Sequence, residues 1–236
     1  MVLADVYLAK TICVYFNIII QFLSADCSDV DWRSDLAEDI KVPNFEVLVH
    51  TFLWLQLDLQ PTEVLDLDSN ISVCTSTVAV YHALSNICSA HSMAREHIHA
   101  TLTWGKFQVP HYNTTFTVTD PDVPIMGGLD IARVKPIFSF RYHAKTYLCA
   151  LVHWFLNIDV EPDVNTGMWR VEPDFDGEGD PLYAVIHLDV MICVAHLIGE
   201  PDGRLPAAIT YISVLDMFDS FYVHKYVDHH VYKIAF

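Results

Sequence analysis

The sequence predicts an α+β, mainly β fold: a small, partly open antiparallel β-barrel or sheet with peripheral helices. Two observations carry that reading. Between Val134 and Gly199 four short apolar segments, Ile137 to Tyr142, Tyr147 to Phe155, Gly167 to Val171 and Leu182 to Leu188, are separated by polar turns bearing Pro and Gly. Their side chains also follow a period of two, with Phe138, Phe140 and Tyr142 alternating with Ser139 and Arg141, as strands require. The segment Tyr147 to Phe155 is apolar on both faces, which places it at the centre of the sheet. Short connections favour antiparallel pairing, so the expected core is Phe138, Phe140, Leu151, Val152, Trp154, Val171, Val185 and Leu188.

The flanking elements follow in chain order. Residues 1–41 are read as a leader and an acidic linker, and residues 42–236 as the β-rich module. The apolar run Thr11 to Leu23 after Lys10, with Ser24-Ala25 behind it, resembles a signal peptide, although Asp5, Asn17 and Gln21 fit a buried helix equally well. Pro43-Asn44 opens a helix placed over 42–60, in which Phe45, Leu48, Val49, Phe52 and Leu55 recur at helical spacing, with Asn44 as N-cap. Ile71 to Tyr81, rich in β-branched residues, predicts one long strand or a bent pair. Asn113 to Thr119 predicts a Thr-rich edge strand. Asp189 is expected to cap a lid helix with Val190, Cys193, Val194 and Leu197 on one face and Gly199 at its stop. Ser213 and Asp216 form a capping-box-like start for a last helix over 213–226.

Composition narrows the function classes. Of 236 residues 53% are apolar, yet no stretch reaches the roughly 18 to 20 uninterrupted apolar residues of a membrane-spanning helix. Thirty acidic residues against thirteen basic ones give a net charge of −17, which repels a phosphate backbone, so direct DNA binding by this chain is not expected. Six cysteines, Cys13, Cys27, Cys74, Cys88, Cys149 and Cys193, are widely and irregularly spaced with no CxxC pair. That spacing excludes a zinc ribbon and favours buried reduced thiols. Asn70-Ile71-Ser72 and Asn113-Thr114-Thr115 match the glycosylation acceptor pattern, which has meaning only in a secreted chain.

Three constellations carry candidate chemistry. Asp174, Asp176, Glu178 and Asp180 place acids at alternate positions with glycine where a calcium loop needs it, but Val185 stands where the bidentate Glu is required. The stretch is therefore read as a polar hairpin connection. Together with Asp120, Asp122, Glu161 and Asp163 on other loops, these four acids form a negative surface suited to a basic protein segment. His224, Asp228, His229 and His230 are the candidate metal ligands, a weak set because adjacent histidines rarely reach one ion. His153 lies in the central strand, read as a core histidine bonded to a backbone carbonyl. No GxSxG elbow, recognisable Cys signature or Gly-rich phosphate loop is present, so no catalytic residue and no cofactor is implied.

Several ordered blocks carry a resemblance: Gly128-Leu129-Asp130-Ile131-Ala132-Arg133-Val134, Cys149-Ala150-Leu151-Val152-His153-Trp154-Phe155, Glu161-Pro162-Asp163 with Thr166-Gly167-Met168-Trp169, Val185-Ile186-His187-Leu188-Asp189, and Phe221-Tyr222-Val223 with Lys225-Tyr226-Val227-Asp228-His229-His230. From about Val42 to Phe236 the chain resembles the C-terminal region of basidiomycete fungal transposon-associated proteins of the Plavaka-like or Kyakuja-Dileera-Zisupton-like kind. The resemblance implies a ribonuclease-H-like catalytic core upstream, to which nothing here corresponds. It also implies a nuclear or cytoplasmic location. The first forty residues, His224 in place of Asn and the segment Ala90 to Lys106 depart from the family pattern, as in a truncated copy. The resulting expectation is a noncatalytic accessory module. Its rivals are a metal-dependent hydrolase or nuclease remnant using the C-terminal His/Asp group, and a secreted binding protein. The general look is also similar, at fold level only, to bromo-adjacent-homology modules.

Overall fold

The computed structural model describes residues 19–21, 27–31, 36–60, 67, 70–82, 93–104, 109–120, 122–123, 125–201, 214–227 and 229–236. In chain order the first elements are β1 (Ile19–Gln21), β2 (Cys27–Asp31), α1 (Ala37–Ile40), α2 (Phe45–Leu57), β3 (Asn70–Cys74), β4 (Ser76–His82), β5 (Met93–Trp104), β6 (Val109–Tyr112) and β7 (Thr114–Val118). Two long strands, β8 (Leu129–Tyr142) and β9 (Lys145–Asn157), follow. The chain then forms β10 (Arg170–Pro173), β11 (Tyr183–His187), β12 (Met191–Val194), β13 (Leu197–Gly199), β14 (Phe221–Val223) and α3 (His229–Ala235). The fold is mainly β, an antiparallel sheet curled into an open half-barrel with few helices.

The ribbon of β8 and β9 organises the molecule. Its hairpin turn, His143 and Ala144, has φ of 46° and 62°, a left-handed pair whose twist matches that of the strands it joins. Each long strand carries two short strands end to end on its outer edge. Along β8 these are β7, opposite Leu129 to Arg133, and β3, opposite Ile137 to Ser139. Along β9 they are β10, opposite Phe155 to Asn157, and β11, opposite Cys149 to His153. The register of β8 against β9 shifts between Val134 and Ile137. This bulge accommodates Pro136, which cannot donate to a ladder.

Both faces of the ribbon are buried, as its sequence requires. On one face α2 lays Phe45, Val49, Phe52 and Leu53 on Phe138, Phe140, Tyr147 and Leu151. The rings meet edge to face, Phe45 with Phe138 at 5.2 Å and Phe52 with Tyr147 at 6.2 Å, the arrangement that aromatic quadrupoles favour. On the other face a second sheet, in the order β1-β4-β5-β6, places Ala79, Tyr81, Ile98 and Ala100 in one core with Val134, Ile137, Ala150 and Val152. The bent pair is realised by β3 and β4, since a bend at Thr75 passes the chain from one sheet to the other. All the expected core residues are buried except Trp154, which is half-buried.

Several expectations are corrected. The lid helix is absent: Leu188–Val190 is a short 3-10 turn, and Met191 to Val194, all buried, form β12 on β7. Because β12 covers it, the Thr-rich β7 is an interior strand with four buried residues, not an edge. The helix over 213–226 is replaced by a 3-10 turn at Val214–Asp216 and by β14, which pairs with β10 and β13, and the true last helix, α3, begins at His229. In the segment taken as linker, Cys27–Asp31 pairs with β3. That pairing sets Cys27 opposite Cys74, and the two form a disulfide, which corrects the reduced-thiol reading for this pair. Cys149 and Cys193 are buried thiols, as expected, whereas Cys13 and Cys88 lie outside the described residues. Asn44 occupies the N-cap of α2 but its side chain makes no capping bond. The triplet at Asn113 is built into the sheet, with the Asn113 amide oxygen accepting from the His99 N–H at 2.7 Å and Thr115 fully buried. Of the signal-like run, only Ile19–Gln21 is described, as a strand pairing with β4.

Candidate functional site

The acidic stretch is a short hairpin excursion, as expected, but the strands it joins pair with β9 and not with each other. Strands β10 and β11 both run along β9, with Pro173 opposite Phe155 and Tyr183 opposite His153. Residues 174–182 are thus an excursion from a single interrupted strand. Its base is closed by Asp174 N–H donating to the Trp154 carbonyl and Leu182 N–H donating to the Asp174 carbonyl, both at 2.9 Å, and by a bridge between Phe175 and Pro181. At the tip Asp176 accepts from the Glu178 and Asp180 N–H groups at 2.9 and 3.0 Å. Those bonds, from Asp180 first and then Glu178, hold its carboxyl below the usual range. Gly179, at φ 89°, supplies the left-handed residue the turn needs. One of the four acids therefore serves the loop itself. Asp176, Glu178 and Asp180 are exposed and Asp174 is half-buried, and none forms an ion pair among the described residues. Asp163 and Asp120 likewise accept backbone N–H groups of their own turns.

Beneath this loop opens a cleft of about 610 Å³, lined by Arg133, Lys135, His153, Phe175, Tyr183 and Asp216 among others. Arg133 comes from β8 just before its bulge and Lys135 from the bulge itself, with His153 facing Arg133 on β9. Asp216 arrives from the 3-10 turn, 83 residues beyond Arg133. The Arg133 fork is bound end to end: Nη1 donates to Asp216 Oδ1, and Nη2 to Oδ2 at 3.2 Å. Its Nε is buried without a partner. Lys135 lies over the Tyr112 ring, with Nζ 4.6 Å from the centroid, and Arg133 lies over the same ring at 5.6 Å. Burial pushes the Lys135 amine down to about 8, and neighbouring Arg133 adds to the effect. The His153 Nε2 meets the Asp174 carbonyl at 2.8 Å, the backbone bond expected from the sequence. Burial, the largest influence, lowers its pKa. Burial would raise the Asp216 carboxyl, but hydrogen bonding and attraction from Arg133 hold it low.

A second concavity, about 420 Å³ and largely apolar, lies between α2 and the outer edge of β11, with Leu48, Phe52, Leu55, Val185 and Ile186 in its walls.

Of the candidate metal ligands, the side chains of His224 and His230 are described. The ring of His230 is buried and stacks on Tyr81 at 4.2 Å, while the His224 N–H donates to the His196 carbonyl. Asp228 and the side chain of His229 lie outside the described residues. Among the described residues no group of three or more His, Cys, Asp or Glu side chains could hold a metal ion. No described helix is long and apolar enough to cross a membrane.

Sequence reasoning singled out His153 and the acidic loop but missed Arg133, Lys135 and Asp216. The available signal was a Pro beside two basic residues in an apolar strand, which marks a bulge. Comparisons with protein-family models, with characterised proteins and with solved structures give no match.

Proposed function

We propose that the chain is a noncatalytic interaction module that binds a basic protein segment along the loop bearing Asp174, Asp176, Glu178 and Asp180. The carrying observation is that the turn uses only Asp176, so Asp174 at the cleft and Glu178 and Asp180 on the loop have no cation paired to them among the described residues. An overall charge of −17 adds long-range attraction for a Lys/Arg-rich partner and repulsion of nucleic acid. The resemblance to fungal transposon-associated proteins makes the basic part of a parent transposase, or a histone tail, the natural partner, in the nucleus or cytoplasm. Fluorescence anisotropy with a Lys/Arg-rich peptide tests this. Binding that weakens with salt and with combined Asp174→Asn, Glu178→Gln and Asp180→Asn substitution is the expected result. Tight binding to duplex DNA at physiological salt with no response to the peptide would overturn it.

A second reading, a secreted binding protein, is favoured by one observation, the Cys27–Cys74 disulfide, since such bonds persist in oxidising compartments. Sequencing the mature N-terminus and alkylating the unreduced, denatured protein separate the two. A processed N-terminus with Cys27 and Cys74 protected supports secretion.

A further inference from the structure

We propose that the cleft beneath the acidic loop is a binding site for a small monocarboxylate, with its anionic group on Lys135 and an aromatic or aliphatic body against Phe155, Phe175 and Tyr183. The site goes beyond the basic-segment reading and does not depend on it. Its volume of about 610 Å³ is that of a small-molecule pocket.

One observation calls for an anion. The Arg133 fork is satisfied by Asp216 and its Nε is enclosed by protein, so neither is open to a ligand. The Lys135 ammonium, by contrast, has no hydrogen bond or ion pair among the described residues, only the face of Tyr112 and the longer-range attraction of Asp216. An ammonium drawn from water without an acceptor is costly, and a bound carboxylate supplies both charge and acceptor.

Two further features select the ligand. Glu172, Asp174 and Asp219 stand around the cleft and repel dianions and polyanions more than a single carboxylate. The walls are aromatic: the rings of Phe175 and Tyr183 lie 5.6 and 5.4 Å from that of His153. Such surfaces take an apolar body rather than a bare ion. The charged and titratable groups acting on Lys135 are Arg133, Asp216 and His153, with Tyr112 beneath it. Its amine, lowered to about 8, should rise again when a carboxylate binds beside it.

Calorimetric titration of the whole chain at neutral pH with phenylacetate and octanoate, against benzylamine and inorganic phosphate, tests the site. Saturable one-to-one binding of at least one carboxylate is expected, weakened about tenfold by Lys135→Met, the effect of losing one charge-assisted bond. Phe175→Ala, at an exposed position, should weaken it by a smaller factor. As a measurement independent of any variant, NMR of the ¹³C-methylated lysines should show the Lys135 pKa raised in the complex. The proposal fails if neither carboxylate binds saturably, if Lys135→Met binds as the parent does, or if the Lys135 pKa does not move. It fails also if benzylamine or phosphate binds as tightly as phenylacetate. Peptide binding at the loop is read separately, so the two proposals stand or fall apart.

Discussion

The acidic loop and the floor of the cleft below it are neighbours with opposite electrostatics. On the loop, charge is held at the surface, where water screens it, and Asp176 is satisfied by N–H groups of its own turn. On the floor, Arg133 and Lys135 are withdrawn from water, share one aromatic ring, and have between them a single carboxylate that reaches in from a distant turn. Exposed charges cost the fold little, whereas buried ones must be offset by the rest of the structure. The floor therefore carries an unfavourable term that the core has to outweigh. Such a term marks a site better than the number of charges does.

That contrast can be broken at graded levels. The largest effect is expected from Val152→Asp, in the strand that supports both regions and buried on the face opposite His153. An unpaired carboxylate there costs several kcal/mol, comparable with the whole stability of a domain. Urea denaturation should show the variant unfolded, and an unchanged melting temperature would show that β9 is not central. Next comes Asp216→Asn, which strands the Arg133 guanidinium. With Asp216 itself 61% exposed, the loss should be about 1–3 kcal/mol, below that of a fully buried pair. Since the folded-state pKa of Asp216 is depressed, its contribution is present above the ordinary carboxylate pKa and is lost as pH falls through the depressed value. The stability difference between parent and variant should vanish there.

Lys135→Met has the opposite sign. The folded-state amine titrates near 8 against an ordinary 10.5, so between those values the unfolded chain binds more protons and parental stability rises with pH. Below about pH 8 the variant should be more stable by about 1–2 kcal/mol, after discounting for the amine's access to the cleft. That gap should close towards pH 10.5 in urea titrations, and a variant less stable than the parent at pH 7 would refute the buried-charge account. The smallest effect belongs to Asp176→Ala. Amide exchange at Glu178 and Asp180 should quicken while the global melting temperature stays put, because the loop base is closed by other bonds.

What could be read from the chain followed the range of the interactions responsible. The ribbon was legible because Tyr147 to Phe155 is apolar on both faces, and α2 because Phe45, Val49 and Phe52 keep a helical period. The lid and the last helix failed where tertiary pairing outweighed local spacing. Val190, Cys193, Val194 and Leu197 keep helical spacing, yet Met191–Val194 pairs with β7, and Asp216, placed to cap a helix, instead takes up Arg133. The disulfide was hidden for a similar reason, since Cys27 and Cys74 meet only through the β2–β3 register. The acidic loop is contiguous and could be seen. The cleft floor joins two adjacent strands and a turn 83 residues away across a bulge, an arrangement that no local window contains.

The interruption between β10 and β11 has an evolutionary consequence. Because both half-strands are registered independently on β9 and the excursion is tied off at Phe175 and Pro181, its length and composition are decoupled from the sheet. Residues can be inserted, deleted or recharged at its tip while the ribbon keeps its pairing, since loop closure entropy grows only slowly with length. The scaffold thus keeps one segment free to vary without putting its folding at risk.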